Sequence, residues 1–313
     1  MTRTRTDTFR HEAMFYAGMD GFVATTSSFI RDAVAADEPM LVVVSADKIE
    51  ALTDELGGTP RSVRFADMKD VGQNPARIIP AWREFMAEQS LSGKRFRGIG
   101  EPIWRGRAAE ELVEAERHES LLNLAFSGTP AWWLACPYDT ESLAPAVLEE
   151  ARRNHPFLMA NGLHSESESY RSTLGQVGVF DDPLPEPDVP TQHLAIEPGE
   201  LGGLRAFVYG VAEANGLSAG RADDLVLAVN EVATNTLRHA GGRGILRTWR
   251  SGSSLICEVR DTGHIADPLI GRARPILGQE GGFGMWLVHQ LCDLVQMRSL
   301  PDGSVVRIHM LTG

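Results

Sequence analysis

Apolar positions along the chain follow two different rhythms, and the change falls near residue 190. Over residues 1–160, short apolar runs alternate with longer amphipathic stretches. Met40–Val44 is a continuous run of the kind buried in a parallel sheet. Val63-Arg64-Phe65, Phe96–Gly100 and Trp132–Cys136 predict three more strands. Between them the spacing predicts helices over 20–36, over a stretch capped by Ser45 or Asp47 and closed at Gly57-Gly58, and over 75–90, 108–126 and 141–153. This alternation predicts an α/β domain with a wound, largely parallel sheet.

Residues 193–313 read differently. Two helical segments, 200–215 and 219–239, come first. On the second, Leu225, Val229, Val232 and Thr236 form the core stripe, and Glu231, Asn235 and Arg238 a neighbouring polar one. Ile245–Trp249 and Leu255–Val259 flank Ser251-Gly252-Ser253, a hairpin signal. A Gly-, Pro- and Arg-rich loop covers 264–280, a helix is expected from Gly284 to Val295, and a last hairpin turns at Pro301-Asp302-Gly303. Helices on one side of a mostly antiparallel sheet give an α+β sandwich. Pro183, Pro185, Pro187 and Pro190 exclude helix and central strand from the boundary. The expected organisation is therefore a first domain over 1–164, a semi-extended linker over 165–192 that starts in a loose Ser/Glu run, and a second domain over 193–313.

Composition narrows the chemistry. The net charge is −12 over 313 residues. From 193 onward there are 11 Arg, no Lys and 12 Asp+Glu, about −1, so the remaining −11 lies in 1–192. Neither part offers a basic surface, which argues against direct nucleic-acid binding. No apolar run is long enough for a membrane helix, and the N-terminus lacks a signal-peptide pattern. Cys136, Cys257 and Cys292 are few, odd in number and far apart, which argues against a disulfide framework or a zinc knuckle and fits a reducing cytoplasm.

The candidate chemistry concentrates late in the chain. Glu231 and Asn235 are four apart on one helical face. Asn235 could hold a Mg²⁺ that bridges phosphates, and Glu231 could take the proton of an attacking hydroxyl. Asp261-Thr262-Gly263 ends a strand, where Asp261 could accept from an adenine amine and Gly263 allow close approach. Gly281-Gly282-Phe283-Gly284 precedes a helix whose free N–H groups suit phosphate. Gly303-Ser304 in the last hairpin is a weaker signal, though the Ser304 hydroxyl could reach a nucleotide. Each element alone also has an ordinary structural reading: a solvated helix face, a turn, a hinge.

Taken in order, the set resembles the GHKL ATPase superfamily, and within it the RsbW-like serine kinases that act as anti-sigma factors. Asn230–Ala240 is similar to the family's N box, Asp261-Thr262-Gly263 to its G1 box and Gly282-Phe283-Gly284 to its G2 box. The resemblance implies a Bergerat fold, ATP with Mg²⁺, Asn235 as metal ligand, Glu231 as catalytic base and Asp261 as adenine contact. It also implies a lid over 264–280, with Arg272 and Arg274 near phosphates. The implied partners are an alternative sigma factor and a STAS-type antagonist phosphorylated on Ser or Thr, with pairing into a homodimer. His264-Ile265-Ala266 departs from the family's second G1 glycine. An ATP-gated binding switch without phosphotransfer is therefore the alternative reading. His155 and His164 lie outside any heptad hairpin, which argues against a histidine kinase.

In the first domain, His11–Tyr16, Gly100–Trp104, His118–Asn123 and Cys136–Asp139 resemble the MEDS sensory domain; joined to an RsbW-like domain, this also resembles RsbA-type anti-sigma regulators. His11, Glu101, His118, Glu119, Cys136 and Tyr138 could line a sensor pocket for a small-molecule signal at the strand ends. They could equally cap helices and satisfy buried hydrogen bonds. A metal site of His11, His118 and Cys136 lacks close ligand spacing, and no spacing defines a reaction for the set. A Walker-type G-x-x-x-x-G-K-[ST] loop is absent from the sequence.

Overall fold

The computed structural model of the protein describes residues 8–90, 93–172, 181–275 and 282–312. The chain divides into two compact units, Met1–Gln176 and Val177–Gly313.

The first unit contains β1 (Arg10–Tyr16), α1 (Gly18–Ala35), β2 (Met40–Val44), α2 (Ala46–Leu56), β3 (Val63–Asp67), α3 (Met68–Gly72), α4 (Ile78–Ser90), β4 (Arg97–Gly100), α5 (Ala109–Ala125), β5 (Trp133–Asp139), α6 (Pro145–Asn154), β6 (Phe157–Ala160) and β7 (Leu163–Glu166). The strands form one sheet in the order β3-β2-β4-β5-β1-β6-β7. All its ladders are parallel except β6–β7. The expected α/β class is what the structure has. The four expected strands are β2 to β5, but β1 carries no simple apolar signal. Its seven residues include Arg10, His11 and Glu12, yet from His11 on they are buried, paired with β5 on one side and β6 on the other. The Ser/Glu run, whose polarity predicts a loose loop or a helix end, begins as strand. Ser165 and Glu166 pair with Leu158 and Phe157.

Strand alternation sorts the first unit's chemistry. Met14, Tyr16 and Ala135 belong to a core with Phe22, Ile30 and Val42. His11, Ala13, Cys136 and Tyr138 therefore point to the opposite face of the sheet.

The second unit contains β8 (Gln192–Ile196), α7 (Leu201–Ala214), α8 (Ala219–His239), β9 (Gly244–Ser251), β10 (Ser254–Asp261), α9 (Phe283–Leu291), β11 (Leu294–Leu300) and β12 (Gly303–Leu311). The sheet order is β11-β12-β10-β9-β8, antiparallel throughout. The expected α+β sandwich is thus present. The core stripe of α8 is as expected: Leu225, Val229, Val232 and Thr236 are all at or below 3% exposure. Each of the three aliphatic residues contributes about 1.5–3 kcal/mol by leaving water. Their partners include Leu246, Val259, Val306 and Ile308 from the inner face of the sheet. The helix expected to run to Val295 stops at Leu291, because Leu294 and Val295 pair with β12 instead. Helical and strand periods cannot be told apart over so short an apolar run.

The opposite face of this sheet is polar and tightly paired. Glu258 is fully buried and receives Arg247, Arg260 and Arg307. The Pro-rich stretch is bound here rather than free. Arg298 donates to the Asp182 carbonyl, Arg307 to that of Pro185, and Glu186 pairs with Arg247 and Arg260. Lacking N–H groups to pair as a strand, the prolines leave carbonyls and one carboxylate to do the anchoring.

Candidate functional site

The second unit holds a cavity of about 470 Å³ between α8, the end of β10 and the start of α9. Glu231, Asn235, Asp261, Gly263, Gly282, Gly284 and Ser304 all line it, so the structure brings together these seven of the residues named for a nucleotide in the sequence. Gly281 lies outside the described residues, as does the lid segment over 276–280.

Each side chain has a local reason for its place. Helical spacing sets Glu231 and Asn235 one turn apart. Gly282, the residue before α9, adopts a left-handed φ of 84°, which glycine reaches at no steric expense. Gly284 lets α9 approach α8 closely: a Cβ there would lie 2.7 Å from Glu231 Oε2 and 3.8 Å from Asn235 Nδ2. The Glu231 carboxylate and the Asn235 carboxamide thus lie beside the N-terminus of α9.

Asp261 is held by three donors. Its Oδ1 accepts from the Ser304 hydroxyl at 2.6 Å and the Gly263 N–H at 2.9 Å, and its Oδ2 accepts from the Thr236 hydroxyl at 2.6 Å. Ser304 thus engages Asp261. Thr236, a core position by its spacing, is buried yet its hydroxyl orients the carboxylate. Nothing in a one-dimensional pattern separates those roles, since the bond joins residues 25 apart.

The stretch that departs from the second glycine is anchored. Ser299 Oγ lies 2.6 Å from His264 Nδ1 and accepts from the Ile265 N–H at 3.0 Å. Arg272 and Arg274 are not among the cavity's described lining residues; Arg272 is instead buried.

The residues present fit a magnesium nucleotide. Asn235 offers one neutral oxygen, enough for an ion that keeps several waters and takes phosphates for the rest. Asp261 Oδ2 keeps lone-pair capacity beyond its bond to Thr236.

Two family descriptions match the chain. Residues 10–156 match the MEDS domain, described as MEthanogen/methylotroph, DcmR Sensory domain. Residues 194–310 match the histidine kinase-like ATPase domain. The chain joins a MEDS domain to a histidine kinase-like ATPase domain. No curated protein matches it. Among solved structures, the RsbU and RsbW domains of a Mycobacterium tuberculosis protein share 13% identity with it at a TM-score of 0.29, covering 39% of this chain and 32% of that one. The chain therefore spans about a third of that structure's length, and so slight a likeness carries no functional argument.

In the MEDS domain, the six residues expected in one sensor pocket are divided: Glu101 lies at one place, His11, Glu119, Cys136 and Tyr138 at another, and His118 in neither. Glu101 lies with Tyr16, which donates to it at 2.6 Å, and with Lys48, whose ammonium is 2.6 Å from both carboxylate oxygens. Burial raises the Glu101 carboxyl, against the pull of Lys48. These groups edge a cavity of about 730 Å³ beyond the strand ends, with Asp47, Trp104 and Asp139 on its walls. His11, Glu119 and Cys136 meet elsewhere, on the sheet face covered by α5 and α6, and are fully buried. His155, set aside in the sequence, joins them: its ring centroid is 4.0 Å from that of His11. Tyr138 packs edge-on to His155 at 5.5 Å. His118 is also buried on α5 but does not enter this cluster. Burial and the nearby His155 lower the His11 pKa to about 4, so its imidazole is neutral near pH 7. Burial pushes the Cys136 thiol up, and Glu119 adds to the effect.

No helix among the described residues is long and apolar enough to cross a membrane.

Proposed function

We propose that the protein is a cytoplasmic anti-sigma regulator that binds ATP with Mg²⁺, sequesters an alternative sigma factor and phosphorylates a Ser or Thr of a STAS-type antagonist. The observation that carries this reading is the single cavity onto which Glu231, Asn235, Asp261 and the Gly282–Gly284 turn converge. Asn235 would hold the metal, Asp261 the adenine amine, and the first amides of α9 the phosphates. In transfer, the acceptor hydroxyl oxygen bonds to the γ-phosphorus as the bond to the β-phosphate oxygen breaks, and Glu231 takes the hydroxyl proton. The 730 Å³ cavity beside Lys48 and Glu101 is the place we assign to a small-molecule signal, being polar, concave and at the strand ends.

The test is radiolabelled ATP with the wild-type chain, Glu231→Ala and candidate STAS proteins. Label on a STAS serine or threonine, lost by at least about 100-fold in the variant while ATP binding persists, is the expected result. Undiminished transfer in the variant would overturn Glu231 as base. Nucleotide binding without transfer in the wild type would instead favour the ATP-gated switch, which the anchored His264-Ile265 segment motivates.

A further inference from the structure

We propose that His11, Glu119, Cys136 and His155 form a closed binding site for one divalent transition-metal ion, zinc being the first candidate, inside the MEDS domain. The four residues come from β1, α5, β5 and the residue that ends α6, and their ligand atoms all lie within 4.8 Å of one another.

The hydrogen bonds around the cluster settle which nitrogens face inward. His155 Nδ1 lies 2.7 Å from the Ala151 carbonyl oxygen, which only accepts, so Nδ1 carries the proton. The Asn123 amide donates its NH₂ to the Asn154 carbonyl at 2.7 Å, which turns Oδ1 toward His11 Nδ1 at 3.1 Å. His11 Nδ1 is therefore a donor as well. In both rings Nε2 is then the inward atom, the one placed to bind an ion. Both face an acceptor: Glu119 Oε2 is 3.0 Å from His11 Nε2 and 3.2 Å from His155 Nε2. Cys136 Sγ is 3.3 Å from His11 Nε2, and Glu119 Oε1 and His155 Nε2 make no hydrogen bond. The Cys136 S–H can meet the His11 lone pair, but His155 Nε2 and Glu119 Oε1 stay unpartnered in a dry interior, and a cation among the four groups would satisfy both. Protonating both rings would instead set like charges with ring centroids 4.0 Å apart.

A divalent ion removes the conflict. It balances one carboxylate and one thiolate, so the buried cluster becomes neutral; binding displaces the Cys136 thiol proton to solvent. Two imidazoles, a thiolate and a carboxylate suit a tetrahedral zinc site. Ligand atoms at zinc bonding distances of about 2.0–2.3 Å lie roughly 3.3–3.7 Å apart, so the three contacts of 3.0, 3.2 and 3.3 Å would open by a few tenths of an ångström, while the widest separation, within 4.8 Å, would close by about 1 Å. The outward bonds to Ala151 and Asn123 are the outer-shell contacts that fix the tautomer of metal-bound histidine. Four protein ligands leave no open position, so the ion would tie the central strands to α5 and α6.

The full chain is refolded under reducing conditions with zinc or with cobalt(II), dialysed, and assayed for metal by mass spectrometry and for cobalt by absorption. One equivalent per chain and a thiolate-to-cobalt charge-transfer band are expected. His155→Ala should fall below a tenth of an equivalent, and Cys136→Ser should lose the band. A wild-type chain that takes up neither metal, or a folded His155→Ala chain that keeps a full equivalent, overturns the proposal. Where a variant fails to fold, the wild-type cobalt band decides alone: Cys257 and Cys292 lie in the apolar core of the second unit, so its presence supports the site and its absence overturns it.

Discussion

Asp261→Asn separates stability from recognition. The substitution keeps the shape of the side chain and removes its charge. Oδ1 can still accept from Ser304 and from the Gly263 N–H, as it does at 2.6 and 2.9 Å. The amide NH₂ then replaces Oδ2, whose partner is the Thr236 hydroxyl at 2.6 Å. That hydroxyl can turn from donor to acceptor, so the fold should lose no more than about 1 kcal/mol. Binding should suffer more. An adenine amine that donated to a carboxylate oxygen would meet another donor. Losing one charge-assisted hydrogen bond is worth about 1.5–3 kcal/mol, and that weakens Mg·ATP by roughly 10- to 150-fold. Inosine triphosphate presents a carbonyl oxygen where adenine has its amine, and the new NH₂ can donate to it. The variant should therefore narrow or reverse the preference for ATP over ITP. Isothermal titration of both nucleotides, with a urea melt to check folding, measures each term. A folded variant that binds ATP within about threefold of wild type, with the ATP preference intact, would refute Asp261 as the base contact.

Two further outcomes follow from the geometry. Gly284→Ala should leave the fold as stable or raise its stability by up to about 1 kcal/mol, because alanine suits a helix better. Its Cβ would displace the Glu231 carboxylate, now 2.7 Å away, so Mg·ATP-dependent phosphotransfer should fall while the melting temperature does not; unchanged transfer would show that Glu231 need not sit there. His309 is buried, 3.0 Å from Gln296 Oε1, and burial plus the Arg307 charge lower its pKa from 6.5 to about 4. Between those values the unfolded chain binds a proton that the folded one refuses, so stability drops as pH falls from about 6.5 to 4, by on the order of 2–3 kcal/mol. His309→Gln should flatten that slope in urea melts across the window, and an unaltered slope would place the effect elsewhere.

Periodicity was enough to lay out the longer helices of both units and the α8 stripe, because a buried face repeats along a single element whatever surrounds it; the short α3 was missed and α9 was drawn too long. Glu231 and Asn235 were legible for the same reason: their relation is set by the helical turn alone. The order of the later Asp-x-Gly and glycine turn added the nucleotide reading. By contrast, β1 was hidden because its polar residues are buried in pairs made with distant strands, as Glu12 with the Trp133 indole at 2.8 Å and with His164. The sequence shows the Pro-rich stretch only as a semi-extended linker, because its anchors, Arg247, Arg260, Arg298 and Arg307, lie more than 60 residues on.

What the sequence by itself determined is therefore local: element type, the α8 pair, the two-part organisation and the family likeness of each part. Only the tertiary structure decided which polar residues meet. It split the expected sensor group, sending Glu101 to Lys48 and Tyr16, and His11, Glu119 and Cys136 to His155. The physical reason is strand alternation combined with parallel crossovers: neighbours in sequence point to opposite faces of a sheet, while residues more than 100 apart are brought side by side on one.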